Sequence, residues 1–95
     1  MVKAYLEITL TIEGLDRAGA ATVYAMYKEP FLKNVKGALS KELLVHIEDV
    51  QVLHGFDNVE NAQNYLLSDF FNREVITCLK PYLKGEPNIK IYSVA

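Results

Sequence analysis

The side chains in this chain that could carry out chemistry are chiefly two histidines and six tyrosines. His54 stands in the segment DVQVLHGF, where it shares one side of an extended strand with Val50, Val52 and Phe56. An imidazole beside an apolar space could orient a phenolic substrate or take its proton, because the ordinary pKa of histidine lies near neutrality. A buried, neutral histidine that hydrogen bonds to a hydroxyl or carbonyl group is the alternative.

Tyrosine hydroxyls are the expected partners of His54. Tyr24 and Tyr27 lie on one stripe of a predicted first helix, and Tyr65 lies on a predicted second helix. His54 and Tyr65 are therefore candidate catalytic residues, whereas Tyr24, Tyr27 and Phe56 are candidate ligand-binding residues. The other interpretation is that tyrosine is favoured in sheets and interfaces for its mixed apolar and polar character.

Metal and cofactor sites are not indicated. His46 falls on the opposite strand face from Leu43, Val45 and Ile47, so it is expected in solvent or at a subunit contact. Cys78 lacks a C-x-x-C partner and fits an apolar filler. The sequence also lacks a glycine-rich phosphate loop, G-x-S-x-G and H-E-x-x-H, so we expect no bound metal, haem or nucleotide.

The composition of the 95 residues, with 51% hydrophobic, 23% charged and a net charge of -2, is typical of a folded domain. Its length predicts one domain over residues 1–95. Without a basic run or basic–aromatic cluster, a nucleic-acid partner is not expected. No apolar stretch is long enough for a membrane span, and the N-terminal residues alternate instead of forming a signal peptide, so we expect a cytoplasmic protein.

Alternation of apolar and polar residues predicts four strands. Their ranges are Ala4–Ile12, Leu43–Ile47, Val50–Phe56 and Ile89–Val94.

Two helical regions separate these strands. A first helix is predicted over residues 17–29, capped by Asp16 and kinked or ended by Pro30. Residues 31–40 then return the chain, with Gly37 as the turn. Gly19, Ala20 and Ala21 leave little bulk on this helix, so part of the space beneath it could stay open.

The second helical region begins with Asp57 three residues before Glu60, which is the capping-box spacing. A helix is predicted over residues 59–67, with an interruption at Ser68 or Asp69. A further helical piece follows over residues 70–80.

The resulting order β-α-β-β-α-β predicts an α+β, ferredoxin-like fold. In this fold, a four-stranded antiparallel sheet carries both helical regions on one face. The opposite face has no cover within the chain, and a face with apolar residues needs a partner. Its candidate residues are Tyr5, Thr9, Thr11, Leu53, Tyr92 and Val94.

Three segments, LHGF, NVENAQNYL and IKIYSV, resemble the dimeric α/β-barrel superfamily, in particular its antibiotic-biosynthesis-monooxygenase-like group. The helix motif of that group matches Asn58, Glu60, Ala62, Tyr65 and Ser68. The resemblance implies a homodimer built through the sheet faces and a pocket between sheet and helices. It further implies binding of a hydrophobic or aromatic molecule and cofactor-independent oxygenation. The chain departs from characterised members in having no tryptophan and no Asn, Trp and His set for haem degradation.

A non-catalytic binding or assembly protein is the alternative on the same fold. An enzyme should have an enclosed pocket in which His54 and a tyrosine hydroxyl converge. A structural protein should have this space filled by Phe31, Phe56, Phe70 or Phe71.

Overall fold

The computed structural model describes Met1–Ala95 and contains one four-stranded antiparallel sheet. The strands are β1 (Ala4–Leu10), β2 (Ala38–Val45), β3 (Val50–Phe56) and β4 (Asn88–Ser93), in the order β2-β3-β1-β4. This order places β3, the second strand of the β2–β3 hairpin, between β1 and β2. The predicted α+β, ferredoxin-like fold is confirmed.

The helices are α1 (Arg17–Asn34), α2 (Val59–Leu67) and the short α3 (Ile76–Leu79). A wide π-type turn over Phe70–Val75 leads into α3, while 3-10 turns occupy Gly14–Asp16 and Lys80–Tyr82. None of these helices combines the length and apolar character required to cross a lipid bilayer.

Burial alternates along β1 and β3 as the sequence pattern predicts. In β1, the side chains of Leu6, Ile8 and Leu10 are buried under the helices, whereas Tyr5 and Thr9 are half-buried on the opposite face. The β1–β3 pairing places each inward residue of one strand beside an inward residue of the other. The hydrophobic core therefore lies between the sheet and its helices.

The connection from α1 to β2 differs from the sequence prediction. Helix α1 continues through Pro30 to Asn34, so the expected end near Glu29 is wrong. Proline removes one helical hydrogen bond, but the next residue, Phe31, is fully buried and anchors the last turn in the core. Strand β2 then begins at Ala38 rather than Leu43.

Two predicted strand ends are also corrected. Strand β1 ends at Leu10 rather than Ile12. His46 and Ile47 lie in the β2–β3 turn, where the His46 amide donates to the Asp49 carbonyl over 2.9 Å. Alternation continues past the ends of a strand, so it does not reveal where the backbone stops pairing.

The helix starts use different groups from those predicted. Asn58, not Asp57, caps α2, since its side chain accepts from the Asn61 amide over 2.7 Å. Asp57 instead accepts from the Asn61 side chain. Asp16 precedes α1 without a side-chain capping bond. The predicted interruption at Ser68 is confirmed, because its hydroxyl accepts from the Phe71 amide over 3.2 Å.

Gly37 forms the turn between α1 and β2, as predicted. Its φ of 81° lies in the left-handed region that disfavours residues with a Cβ. A Cβ at this position would also collide with the side chains of Asp57 and Asn61, which hydrogen bond to one another. The Gly37 carbonyl accepts from the Asp57 amide over 3.0 Å, so the turn ties β2 to the start of α2.

We expect Gly37→Ala to lower the free energy of unfolding by at least about 1–2 kcal/mol, because of its backbone conformation and this collision. Urea denaturation measures the change. Gly14→Ala is the matched control, since a Cβ at Gly14 would have no other atom within 4 Å and the φ of this residue is not positive. Gly14→Ala should change stability by less than about 0.5 kcal/mol. Equal losses in both variants would contradict this role of Gly37.

Candidate functional site

An apolar cavity of about 280 Å³ lies between the sheet and the helices. Sixteen of its 19 lining residues are hydrophobic. Small residues of α1, including Ala20 and Ala21, form part of its roof, which agrees with the space predicted beneath this helix. Two inward rows of the sheet form its floor. These rows are Val45, Val50 and Leu10, followed by Leu43, Val52 and Ile8.

The next inward row closes the cavity with polar groups. Lys41 and His54 are direct cross-strand partners in this row, and both line the cavity. Both side chains are buried, with exposed fractions of 4% and 2%. Beyond them, Phe31 and Phe56 are fully buried in the core. An apolar space therefore ends at a cation and an imidazole.

His54 is anchored by its backbone contact. Its Nδ1 atom lies 3.1 Å from the carbonyl oxygen of Leu6. A carbonyl can only accept, so Nδ1 carries the proton and Nε2 is left as an acceptor. Burial, together with the charge of Lys41, lowers the pKa of His54 to about 3, although its backbone hydrogen bonds oppose this shift. The ring is neutral at pH 7, which favours orienting a ligand over taking its proton.

Aromatic rings fill the space on the other side of His54. Its ring contacts those of Phe31 and Tyr65, with centroid separations of 5.2 and 5.7 Å. Tyr65 also packs against Phe56 and Phe71. The Tyr65 hydroxyl is buried without a hydrogen-bond partner, and burial raises its pKa. Tyr65 thus supports the His54 ring but does not line the cavity.

Of the three candidate ligand-binding residues, only Tyr24 lines the cavity with His54. The Tyr24 hydroxyl donates to the carbonyl oxygen of Lys41 over 2.8 Å. Tyr27 lies elsewhere, with its hydroxyl 3.3 Å from the Cys78 sulfur, and this hydrogen bond raises the pKa of Tyr27 to about 12. Phe56 belongs to the filled aromatic side. His54 and Tyr24 therefore line the same cavity, whereas Tyr27 and Phe56 lie outside it.

Lys41 is the site residue that the sequence analysis missed. Its ammonium nitrogen lies 5.5 Å from the ring centre of Tyr24 and 5.3 Å from that of Phe31. Burial and the nearby charge of Lys28 lower the pKa of Lys41 to about 8. If the strand alternation of Leu43, Val45 and Ile47 is continued two residues backward, Lys41 falls on the face of β2 that lies under the helices.

Of two polar residues near the β2–β3 turn, Arg17 lines the cavity and His46 does not. Arg17, at the start of α1, lines the cavity and donates to the Ile47 carbonyl over 3.1 Å. His46 is exposed in the β2–β3 turn and accepts from the Glu48 amide. No three histidine, cysteine, aspartate or glutamate side chains lie together in a way that could hold a metal ion.

Solved structures that share this architecture include several candidate antibiotic biosynthesis monooxygenases. A conserved protein from Methanosarcina mazei Go1 superposes with a TM-score of 0.82 and 18% identity, over 98% of this chain and 93% of that one. A candidate antibiotic biosynthesis monooxygenase from Caulobacter crescentus gives a TM-score of 0.83 and 16% identity, over 99% and 91% of the chains. A candidate monooxygenase of the same kind from Bordetella bronchiseptica gives 0.83 and 14%, over 98% of both chains.

The chain thus shares its ferredoxin-like fold with these proteins, as the sequence resemblance predicted. Identities this low establish the fold and leave the activity to be argued from the site. No protein-family model matches the sequence. No curated protein matches it either.

The buried neutral His54 should make stability depend on pH. Its pKa falls from 6.5 in the unfolded chain to about 3, so the unfolded state binds more protons between these values. His54 should therefore favour folding above pH 6.5 and oppose it increasingly as the pH falls toward 3. The slope from one such group is at most about 1.4 kcal/mol per pH unit.

Urea denaturation between pH 7 and 4 tests this expectation. The free energy of unfolding should fall less steeply in His54→Phe than in the wild-type protein. His46→Phe, which alters the exposed histidine, should retain the wild-type slope. Identical slopes in all three proteins would show that His54 titrates normally in the fold.

Proposed function

We propose that this protein binds a small hydrophobic, aromatic molecule in the cavity and oxygenates it as a cofactor-independent monooxygenase. The observation that carries the proposal is the apolar cavity of about 280 Å³ that ends at His54 and Lys41. Ligand pockets are generally apolar spaces with a few polar groups that set orientation. The fold shared with candidate antibiotic biosynthesis monooxygenases supports the oxygenase part.

The size of the cavity suits a ligand with one or two aromatic rings. A dry apolar cavity of about 150 Å³ accommodates benzene, and this cavity has nearly twice that volume. The walls of Val50, Val52 and Leu43 would contact the ring system. The free Nε2 of His54 would accept a hydrogen bond from a ring hydroxyl.

Such a site needs an electron-rich substrate that reacts with oxygen itself. A suitable test compound is 1,4-dihydroxynaphthalene, which with O₂ gives 2-hydroxy-1,4-naphthoquinone and water. One oxygen atom joins a ring carbon, the other leaves as water, and the substrate supplies all four electrons. The protein contributes a dry, shaped space that orients the ring.

A non-catalytic binding protein is the second candidate. It is favoured because no tyrosine hydroxyl is free to contact a ligand beside His54. The Tyr24 hydroxyl already donates to the Lys41 carbonyl, and Tyr65 lies outside the cavity. The aromatic packing of Phe31 and Tyr65 on His54 also fits a core histidine. The two candidates share the ligand and differ in turnover.

A homodimer through the uncovered sheet face is part of the proposal. We define the open face by the outward residues of the sheet, which include Tyr5, Leu53 and Tyr92. Tyr92 is 47% exposed, and Leu44 on the same face is 42% exposed. A second copy would remove these apolar groups from water.

We expect His54→Ala to weaken the binding of 1-naphthol by about 1–3 kcal/mol, because a ligand hydroxyl would lose its buried acceptor. Isothermal titration calorimetry measures the change, with His46→Ala as the exposed control. The wild-type protein should also accelerate oxygen uptake with 1,4-dihydroxynaphthalene without added metal or flavin.

The outcomes separate the candidates. Tight 1-naphthol binding without faster oxygen uptake would favour the non-catalytic protein. A His54→Ala variant with lower stability but an unchanged dissociation constant would assign His54 to the core alone.

Sedimentation velocity tests the dimer. The wild-type protein should sediment as a dimer at micromolar concentration, whereas Leu53→Glu should shift it to monomer by placing a charge in an apolar contact. Leu67→Glu, on an 81% exposed residue of α2, is the control and should remain dimeric. A monomeric wild-type protein would exclude the dimer.

A further inference from the structure

Lys41 is a buried cation whose surroundings contain no anion. It is 4% exposed and lines the apolar cavity in the same cross-strand row as His54. The ion pairs in the structure all involve other cations, namely Lys33, Arg73 and Lys84, and all lie on the surface. The charged residue that acts on Lys41 is Lys28, which has the same sign.

The neighbours of Lys41 stabilise its charge only in part. Tyr24 and Phe31 present aromatic rings at 5.5 and 5.3 Å, and such contacts favour a cation. Rings do not replace the oxygen acceptors that an ammonium group with three donors normally has. The Tyr24 hydroxyl donates to the backbone carbonyl of Lys41, and no hydrogen bond joins this hydroxyl to the ammonium group.

His54 does not supply the missing charge either. It is neutral, and its Nδ1 proton is used by the Leu6 carbonyl. Lys41 is one of the residues that line the cavity, so an anion inside the cavity can reach this side chain. A neutral aromatic molecule could fill the cavity but would leave the charge of Lys41 unpaired, whereas an anionic one would also pair with it.

We propose that Lys41 binds the carboxylate of an aromatic acid, so that the ligand of this cavity is an apolar molecule with one negative charge. The inference rests on the proposed function, since it needs the cavity to accept an aromatic molecule. The carboxylate lies at the inner end beside Lys41. The ring system extends along Leu43, Val52 and Val50 toward Arg17 at the other end. Charge-assisted hydrogen bonds of this kind are stronger than neutral ones.

Two probes of nearly equal shape test the proposal, namely 2-naphthoate and its neutral amide, 2-naphthamide. Calorimetric titration at pH 7 should show that the wild-type protein binds 2-naphthoate about 10- to 100-fold more tightly than 2-naphthamide. This comparison needs no variant.

Substitution of Lys41 then tests whether its charge causes the preference for 2-naphthoate. Lys41→Met keeps the length of the side chain and removes its charge, so the preference for 2-naphthoate should disappear while 2-naphthamide still binds. Lys28→Met is the matched control, because Lys28 is an exposed lysine whose ammonium group lies 5.8 Å from the ring centre of Tyr24. It should change either affinity by no more than about threefold, as expected for a rim charge.

Each result has a distinct meaning. Equal binding of the two probes by the wild-type protein would overturn the role of Lys41 and leave the proposed aromatic site standing. A preference that survives Lys41→Met would also overturn it. If neither probe binds, both this inference and the proposed function fail.

Discussion

The arrangement between sheet and helices depends on the contact of His54 with the carbonyl group of Leu6. This hydrogen bond, at 3.1 Å, satisfies a polar ring in an interior where an unpaired group would be costly. It also sets the tautomer of the ring, which burial and the charge of Lys41 keep neutral, and Phe31 and Tyr65 pack against it. A charged imidazole would not tolerate these apolar neighbours together with Lys41 on the adjacent strand.

His54 consequently divides the space under the helices into two parts. On one side, aromatic rings interlock and give the region a single packed arrangement. On the other, small residues of α1 such as Ala20 leave a cavity. Empty apolar volume reduces stability in a protein core, and a buried cation without an anion adds to that cost. An apolar cavity and an unpaired buried cation occur together here, and a ligand that fills the cavity and carries an anion would explain both.

Much of this architecture is predictable because alternation reports directly which face of a strand is buried. The pattern around Val50 and Val52 places His54 inward, and the small residues of α1 indicate open space.

The burial of Lys41 escapes prediction because its segment reads as a connecting stretch, in which no inward face exists. The extension of α1 through Pro30 also escapes prediction, because proline disfavours a helix at this position. Only the burial of Phe31 in the core outweighs that preference. The separation of Tyr27 from Tyr24 depends on how the helix is rotated against the sheet, which a broad apolar stripe does not specify.

Xenon binding under pressure would show whether an apolar cavity ends at His54 and Lys41. Apolar cavities in proteins take up xenon. A crystal structure under xenon pressure should show xenon beside Val52 and Leu43, and none among Phe31, Phe56 and Tyr65. Ordered water throughout the space up to Lys41, or contact of Ala20 with Val52 that leaves no xenon site, would rule out an apolar ligand cavity here.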